Sequence, residues 1–351
     1  MLKKYKLIFF FIPHHHIGGA ERVHLNIIKA LYCKPVVFFN YANSNQIDKE
    51  FSDNAYCFLI TSAKRRKFAL KLLQVITYVF PVIFFGCNSS LFYNFVAGVK
   101  KNVKAIDLTH AFSFPENGME ITSLPYIDLL DKRIVINART YEDYKELYIK
   151  NNINSKFLKR FRIIPNGIEI KDFDKSKINL RWENFTLGFV GRNSTEKRPE
   201  IFFELVKKSN LKAKAIGDSF SQYRVEFPKV LYFENCNDVE LIRDQFSDIS
   251  LLVVPSSREG FPLVIMEAME LGIPVIATDV GSISEHVISY ENGFLGPVEK
   301  EAFLEYATRI IGELTSREEL YFELSKNARN HAEKNFSIEI FNSKYCELFY
   351  E

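Results

Sequence analysis

The sequence lacks the cysteine pattern of a metal-scaffolded or disulfide-linked protein. Its five cysteines are scattered over 351 residues, and none belongs to a Cys-x-x-Cys pair. Structural zinc sites and disulfide frameworks need regularly spaced cysteines, so neither is predicted, and scattered thiols fit a reducing cytoplasm. No group of His, Asp and Glu has the spacing of metal ligands either. The sequence therefore predicts no metal site and no resident cofactor.

The chain also lacks a clear membrane span and a convincing secretory signal. Its longest apolar stretch, residues 68–85, contains Lys71, Gln74 and Pro81, which makes it marginal against the ~20 apolar residues of a spanning helix. A basic run precedes the stretch, and two interpretations stay open: a helix that lies on an anionic membrane, or a core helix behind a solvated turn. In the first, the membrane contacts are Lys64, Arg65, Arg66 and Lys67.

The composition is that of an ordinary soluble chain with a large core. Hydrophobic residues make up 47% and charged residues 25% of the sequence, which excludes a disordered or collagen-like protein. A chain of 351 residues exceeds the usual size of one compact domain, so two domains are expected.

Charge is distributed unevenly along the chain. Residues 1–180 hold 27 Lys and Arg against 15 Asp and Glu, a net charge of +12, whereas residues 181–351 hold 19 against 28, a net charge of −9. A basic half indicates an anionic partner on that side, either a membrane surface, a phosphorylated ligand or nucleic acid. Nucleic acid is disfavoured because the basic half has no motif in which basic and aromatic residues interleave.

Short apolar runs alternate with helical periodicity, which predicts an α/β fold with parallel sheets. A turn signal at 165–167 and the charged stretch 169–177 place a boundary near 165–185. We expect two Rossmann-like doubly wound domains facing a cleft, residues 1–170 and 171–335, and a final helix over 336–351 that could pack back on the first domain. Predicted strands cover residues 7–13, 36–40, 58–60, 105–109, 133–137, 186–190, 213–216, 230–233, 251–254 and 274–277.

The most informative segment runs from Glu259 to Glu267 and follows the buried strand 251–254. Pro262 fits the first turn of a helix, where its missing N–H costs nothing. The free backbone donors of residues 260–264, which include Gly260, Phe261 and Leu263, would then favour an anion such as a diphosphate. Glu259 would then lie at the mouth of the helix, and Glu267, two turns further along, could turn toward the cleft and accept hydrogen bonds from sugar or ribose hydroxyls. The alternative is that Glu259 caps the helix and Glu267 is a solvated charge.

Two sites in the first half are candidates for ligand contact. Gly18 and Gly19 follow the first strand and open a helix, so the backbone there can approach a phosphate closely; a plain turn is the alternative. His110 ends the strand 105–109, where its ring would face the cleft and contact a sugar or an acceptor. A structural histidine is the alternative.

Several motifs in register resemble one enzyme family. Glu259 and Glu267, with Gly260-Phe261 after the first, resemble the Glu-x7-Glu signature of retaining glycosyltransferases of family 4, which have the two-Rossmann GT-B fold. The resemblance covers most of residues 7–295. Its other pieces are Gly18-Gly19-Ala20-Glu21-Arg22, Asp107-Leu108-Thr109-His110, Pro165-Asn166-Gly167-Ile168, Gly191-Arg192, Lys197-Arg198-Pro199, Gly281-Ser282 with Glu285, and Asn292-Gly293.

The resemblance implies a role for each matched position. Arg192 and Lys197 would neutralise the diphosphate of a UDP- or GDP-sugar, Glu259 would hold hydroxyls of the transferred sugar, and Glu267 would hold the ribose. A leaving diphosphate gains charge as the glycosidic bond breaks, and fixed cations stabilise that charge without a metal. His110 would supply the catalytic contact of the first domain, although Arg139 is a second candidate for that contact.

The function implied is transfer of a hexose or N-acetylhexosamine to a glycan acceptor on a polyprenyl diphosphate. Such an enzyme would work in the cytoplasm, on the inner face of the bacterial membrane, in the assembly of lipopolysaccharide or capsule, and the basic first half fits that setting. Two other functions stay open: a nucleotide-sugar epimerase of the same fold, and a non-catalytic subunit that binds a nucleotide sugar. Donor, acceptor and linkage depend on a few pocket contacts that the sequence leaves open.

Overall fold

The chain divides into two compact units. The computed structural model describes residues 7–15, 18–41, 47–87, 89–99, 101–112, 118–234 and 239–350. The first unit comprises the described residues up to Gly167 together with those from Ile338 onward, and the second unit comprises Ile168–Ser337. The chain thus changes units at 167/168 and 337/338, compared with 170/171 and 335/336 expected from the sequence.

The first unit is built on a parallel sheet of seven strands. In chain order these are β1 (Leu7–Ile12), β2 (Val36–Phe39), β3 (Tyr56–Leu59), β4 (Val82–Cys87), β5 (Val103–Thr109), β6 (Lys132–Val135) and β7 (Phe161–Ile163). Their order across the sheet is β3-β2-β1-β4-β5-β6-β7, and every pairing is parallel. The α-helices are α1 (Gly19–Ala30), α2 (Lys49–Asn54), α3 (Ala63–Val79), α4 (Ser90–Gly98), α5 (Met119–Thr122) and α6 (Ala138–Lys150), with 3₁₀ turns at Leu124–Leu129 and Ser155–Arg160.

The second unit is built on a parallel sheet of six strands. These are β8 (Thr186–Gly191), β9 (Lys212–Gly217), β10 (Leu231–Glu234), β11 (Leu251–Val254), β12 (Val275–Thr278) and β13 (Gly293–Gly296), in the order β10-β9-β8-β11-β12-β13. The α-helices are α7 (Ser176–Glu183), α8 (Pro199–Ser209), α9 (Ser221–Arg224), α10 (Val239–Ser247), α11 (Leu263–Glu270), α12 (Lys300–Ser316) and α13 (Glu318–Asn335), and Ile283–Glu285 forms a 3₁₀ turn. The expected α/β architecture of two Rossmann-like sheets is confirmed.

The central strands are apolar on both faces because helices cover both faces of each sheet. Phe9, Phe10 and Phe11 in β1 are all buried, as expected for a parallel strand in the middle of a sheet. Phe11 pairs with Gly86 of β4. A Cβ at Gly86 would lie 2.1 Å from the ring of Phe92 in α4, so glycine is what allows that helix to pack so closely.

The sequence predicted a helix for the apolar stretch 68–85, and this prediction is wrong. The stretch contains most of α3 and then most of β4. Pro81 explains the break, because the residue before a proline avoids the helical region and proline itself cannot donate the next helical hydrogen bond. β4 is buried along its whole length. The strands β7 and β13 were also not predicted.

No helix within the described ranges combines the length and the apolar content that crossing a bilayer requires.

The last helix, α14 (Ile338–Tyr350), returns to the first unit. The ring of Phe349 lies 6.0 Å from that of Phe10 and 5.6 Å from that of Phe85. The Lys104 ammonium donates to the Leu348 carbonyl at 2.7 Å, and the Cys346 thiol donates to the Ala30 carbonyl. The helix therefore covers apolar surface of the first sheet that would otherwise face water.

This packing predicts that Phe349→Ala destabilises the protein. Phe349 is fully buried, and emptying such a site costs about 3–5 kcal/mol in the free energy of unfolding. Phe68→Ala is the matched control, because Phe68 is 71% exposed and its truncation should change stability by less than about 0.5 kcal/mol. Urea unfolding followed by circular dichroism measures both. Equal effects of the two substitutions would contradict this packing.

Candidate functional site

The strand order places a candidate site at the carboxyl edge of the second sheet. β8 and β11 are neighbours in the sheet. After β8 the chain continues to β9 on one side of this pair, and after β11 it continues to β12 on the other side. A crevice opens where such adjacent strands diverge, and ligands of this fold class bind there. The segments that follow β8 and β11 are residues 192–198 and 255–262. They carry six of the residues that the sequence singles out: Arg192, Lys197, Glu259, Gly260, Phe261 and Pro262.

Backbone hydrogen bonds tie these two segments together. The Ser257 N–H donates to the Glu196 carbonyl at 2.8 Å. Arg198, at a left-handed φ of 49°, donates from its guanidinium to the carbonyls of Pro255 at 2.5 Å and Val298 at 2.7 Å. The loop after β8 is therefore fixed against the loop after β11, so the side chains of both loops have defined positions.

Lys197 and Glu259 meet across these loops. The Lys197 ammonium lies 2.5 Å from Glu259 Oε1, and the Ser256 hydroxyl donates to the same oxygen at 2.7 Å. The side chains of Lys197 and Glu259 are only 20% and 9% exposed. The Thr278 hydroxyl holds the Ser256 carbonyl in turn. The site thus contains a cation and a carboxylate that pair across two loops, and the end of β12 holds the second loop in place.

Arg192 lies on the same loop but is solvent-exposed. Its guanidinium pairs with Glu196 Oε1 at 3.0 Å. Burial raises the pKa of Glu196, but its own backbone N–H and the nearby Ser194 hydroxyl, together with the charges of Arg192 and Lys197, outweigh burial and leave the pKa below its usual value. Glu196 therefore lies between the two predicted phosphate-binding cations, a neighbour that the sequence analysis did not identify.

The segment Gly260–Leu263 leads into α11. The sequence predicted that the helix begins at Pro262, whereas it begins one residue later. Pro262 is the N-cap, and Leu263 is the first helical residue. The ring of Phe261 is buried against His286, 4.5 Å away, and Phe336, so only its backbone can face a ligand. Burial and then the charge of His331 lower the pKa of His286 to about 4, so its ring is neutral near pH 7.

A glycine holds the loop after β12 against this segment. The backbone N–H and the hydroxyl of Ser282 donate to the Gly260 carbonyl at 2.9 and 3.0 Å. Gly281 has a φ of +61°, and a Cβ there would lie 2.1 Å from the Glu259 carbonyl oxygen. Only glycine fits this approach without a shift of the Glu259 backbone.

The two carboxylates of α11 have different environments. Glu267, predicted to bind ribose, is exposed. Glu270 is buried and pairs with Arg243 at 2.6 Å and Arg329 at 3.2 Å. Glu270 therefore has a structural role, whereas Glu267 lies on the solvent side of the helix.

Gly18, Gly19 and His110 belong to the first unit. Gly18 is the N-cap of α1, and a Cβ at Gly19 would contact nothing within 4 Å, which leaves room for a ligand. His110 follows β5, and burial lowers its pKa to about 4, so the ring is neutral near pH 7. Arg139, the other candidate of this unit, is exposed and pairs with Asp143.

A cavity of about 580 Å³ lies elsewhere in the second unit, near the amino ends of its strands. None of the site residues predicted from the sequence lines it. Its wall includes the cations Lys177, Arg181, Lys212, Lys214 and Lys229.

In chemical terms, the carboxyl edge of the second sheet offers fixed cations, the start of a helix and a hydrogen-bonded carboxylate. The first two suit an anion of the diphosphate type, because cations and free backbone N–H groups both stabilise negative charge. A carboxylate beside them suits a ligand that also carries hydroxyl groups.

Comparison with known proteins gives consistent matches. Residues 170–331 match the model of the family described as glycosyl transferases group 1. The chain is 30% identical over 269 residues to an uncharacterized glycosyltransferase of Methanocaldococcus jannaschii, which covers 67% of this chain and 74% of that protein. It is 30% identical over 193 residues to the capsular polysaccharide biosynthesis glycosyltransferase CapM of Staphylococcus aureus, half of each chain.

A solved structure extends the likeness to both units. The crystal structure of HepE from Anabaena in complex with UDP-glucose superposes with a TM-score of 0.76, covering 97% of this chain and 98% of that chain at 18% identity. At this identity the likeness shows the fold, and the GT-B fold expected from the sequence is confirmed.

The contact at Gly281 predicts a stability test. Gly281→Ala should lower the free energy of unfolding by about 1–3 kcal/mol, because the new Cβ meets a backbone oxygen at a strained positive φ. Gly312→Ala in α12 is the control, since a Cβ there meets nothing within 4 Å; helix propensity should make it stabilising by roughly 0.5–1 kcal/mol. Thermal unfolding distinguishes the two, and the same sign for both would refute the close approach at Gly281.

Proposed function

This chain belongs to the glycosyl transferases group 1 family, and we propose that it is a retaining, metal-independent enzyme that moves a hexose or N-acetylhexosamine from a UDP- or GDP-sugar to a lipid-linked glycan. The observation that carries the proposal is the contact of Lys197 with Glu259 beside the start of α11. The similar HepE binds UDP-glucose, and CapM acts in capsular polysaccharide biosynthesis. Both names favour a nucleotide-sugar donor and a role in bacterial surface polysaccharide assembly.

Lys197 and Arg192 are proposed to neutralise the diphosphate of the donor. As the bond between the sugar and the diphosphate breaks, the leaving group gains negative charge, and cations already in place stabilise it more in the transition state than in the ground state. Free N–H groups in the first turn of α11 add to this stabilisation. The transfer then needs neither a metal ion nor a nucleophile on the protein.

Glu259 is proposed to hold hydroxyl groups of the transferred sugar, and Glu267 those of the ribose. Lys197 and Ser256 both contact Glu259 Oε1 and orient the side chain, and a carboxylate accepts hydrogen bonds but does not donate them. A diphosphate that approached Lys197 would compete with Glu259 for the ammonium and leave more of the carboxylate for hydroxyl groups. Cation and carboxylate would therefore respond to the donor together.

His110 is proposed to contact the sugar or the acceptor from the first unit, and Gly18-Gly19 to give a phosphate close access to the backbone. A neutral ring with one N–H donor and one acceptor nitrogen suits a hydroxyl group. The acceptor is proposed to be a glycan on a polyprenyl diphosphate, whose phosphates fit the excess of basic residues in the first half.

The donor site predicts a split between two lysines of the second unit. Lys197→Ala should lower kcat/KM for sugar transfer by about 10²–10³, the usual cost of removing one preorganised charge-stabilising group. Lys207→Ala is the control, because Lys207, on α8, forms an exposed pair with Glu226. Its substitution should leave the rate unchanged. Transfer of radiolabelled sugar from UDP- and GDP-sugars to a polyprenyl-diphosphate glycan measures both.

A second measurement separates the competing functions. Thermal shifts with UDP- and GDP-sugars report donor binding independently of turnover. Binding without transfer would indicate a non-catalytic subunit, and sugar interconversion without an acceptor would indicate an epimerase. Glu259→Gln should abolish transfer; full activity in that variant would overturn the proposed role of the carboxylate.

We further propose that the first unit binds the inner face of the anionic cell membrane through α3. Opposite its buried face, this helix has an exposed apolar stripe that consists of Phe68, Leu72, Val75 and Val79. Helical spacing places Lys64 and Lys71 on the same side, and α3 contains no Asp or Glu. Apolar side chains flanked by cations alone are typical of helices that lie in the interface of an anionic bilayer.

Two of the four predicted basic contacts donate to backbone carbonyls of their own unit. The exposed Arg65 guanidinium donates to the Leu59 carbonyl at 3.3 Å. The Arg66 guanidinium donates to the carbonyls of Ile60 at 3.0 Å and Asn40 at 3.4 Å, so it anchors α3 to its own unit. Lys64, Arg65 and Lys67 are exposed. The proposed membrane contact therefore consists of these three cations and the apolar stripe.

Charge reversal tests this membrane contact. The triple variant Lys64→Glu, Arg65→Glu and Lys67→Glu should weaken binding to vesicles that contain phosphatidylglycerol by roughly a hundredfold, at about 1 kcal/mol for each cation removed. The control is the triple reversal of Lys150, Lys156 and Lys159 to Glu. These lysines are exposed on the same unit, so the control variant has the same net charge as the first variant. Equal loss in both variants would show a diffuse charge effect and exclude a site on α3.

Val75→Asp adds a test of the apolar stripe. Val75 is 66% exposed, and Ile149 on α6, at 70% exposure, provides the control Ile149→Asp. Vesicle binding should fall only in the first variant.

A further inference from the structure

Three potential metal ligands that lie far apart in the sequence meet in the first unit. His24 lies on α1, Cys87 ends β4, and His110 follows β5. One ligand atom from each, a ring nitrogen or the thiol sulfur, lies within 4.8 Å of the other two. β4 lies between β1 and β5 in the sheet, and α1 follows β1. The cluster therefore lies at the point where this sheet changes direction, a usual place for ligands.

The histidines of the cluster have nitrogens without partners. His24 is only 1% exposed, and neither of its ring nitrogens has a hydrogen-bond partner among the described residues. The same holds for Nε2 of His110, whose ring lies 5.5 Å from that of His24. A buried polar atom without a partner costs about 1–3 kcal/mol. Two rings that both carry this cost side by side indicate a missing ligand between them.

The protonation states also suit a metal. Burial, and then the proximity of His110, lower the pKa of His24, and burial lowers that of His110 to about 4. Both rings are therefore neutral near pH 7, the state in which imidazole binds metals. Burial, Asp107 and Glu21 raise the pKa of Cys87. The thiol therefore keeps its proton until a cation displaces that proton into solvent and forms a metal–sulfur bond.

We propose that His24, Cys87 and His110 form a binding site for a divalent metal ion of the zinc type. Imidazole and thiolate are the ligands that zinc prefers, and three protein ligands leave a fourth position for water or another ligand. Bonds of about 2.0–2.3 Å around zinc place ligand atoms about 3.3–3.6 Å apart. Side-chain rotations that move the ligand atoms by about 1 Å would therefore bring the three residues into bonding distance of one ion. This proposal departs from the expectation, drawn from the sequence, that the chain has no metal site.

Metal binding at this site has a consequence for transfer that rests on the proposed function. A nitrogen of His110 that binds the metal is no longer available to a sugar or acceptor hydroxyl. Zinc should therefore inhibit transfer reversibly, although the reaction itself needs no metal. The site would then be regulatory.

Cobalt titration of the full chain tests the site directly. Co²⁺ should bind with a near-ultraviolet band from thiolate-to-cobalt charge transfer and visible bands of tetrahedral cobalt, and Zn²⁺ should abolish both. Cys87→Ser should remove the charge-transfer band, and His24→Gln should weaken binding by at least roughly tenfold. Cys57→Ser is the matched control, since Cys57 is a half-buried cysteine in β3 and should keep the full spectrum.

The outcomes separate this proposal from the proposed function. No charge-transfer band in the wild-type chain, or an undiminished band in Cys87→Ser with native circular dichroism, would overturn the metal site whatever the transferase assay shows. Bound cobalt without a thiolate band would indicate nitrogen ligands alone, such as the run that contains His14 and His15, and would also overturn it. If the band is present but zinc leaves transfer unchanged, the site stands and its link to His110 in catalysis is wrong.

Discussion

Each sheet grows outward in both directions from its first strand, β1 or β8, and this topology decides which side chains can meet. At such a point the chain leaves neighbouring strands on opposite sides, and the crevice between them receives residues that are far apart in the sequence. Lys197 and Glu259 meet in this way after β8 and β11, with 62 positions between them. His24, Cys87 and His110 meet in the corresponding place of the first unit.

The side chains at these edges are fixed by hydrogen bonds from several loops. Glu259 has partners from two loops, and the loop that carries Ser256 is held by Thr278. The close approach of Gly281 brings the loop after β12 into the same arrangement. Preorganisation of this kind favours ligands that carry both charge and hydroxyl groups, because little ordering of the protein remains to be done on binding.

The sequence was most informative where the local pattern decides the structure. The strand 251–254 was predicted with its observed limits because four apolar residues are bounded by polar ones and turn residues. β4 was missed because its residues continue the apolar run of α3, and periodicity cannot separate a buried strand from a buried helix. Arg66 looked like a free surface cation, but its carbonyl partners lie 6 and 26 positions away. The metal cluster was beyond sequence reasoning because its ligands come together only through the order of the strands.

The return of α14 to the first unit also concerns the order in which the protein folds during synthesis. The residues of the second unit leave the ribosome before Phe349. The contacts of Phe10 and Phe85 with Phe349 can therefore form only after residues 168–337 have been translated. Until then, apolar surface of the first unit is open to water and to other nascent chains. During synthesis, the second unit is therefore complete before the first, because the first unit still needs α14 from the end of the chain.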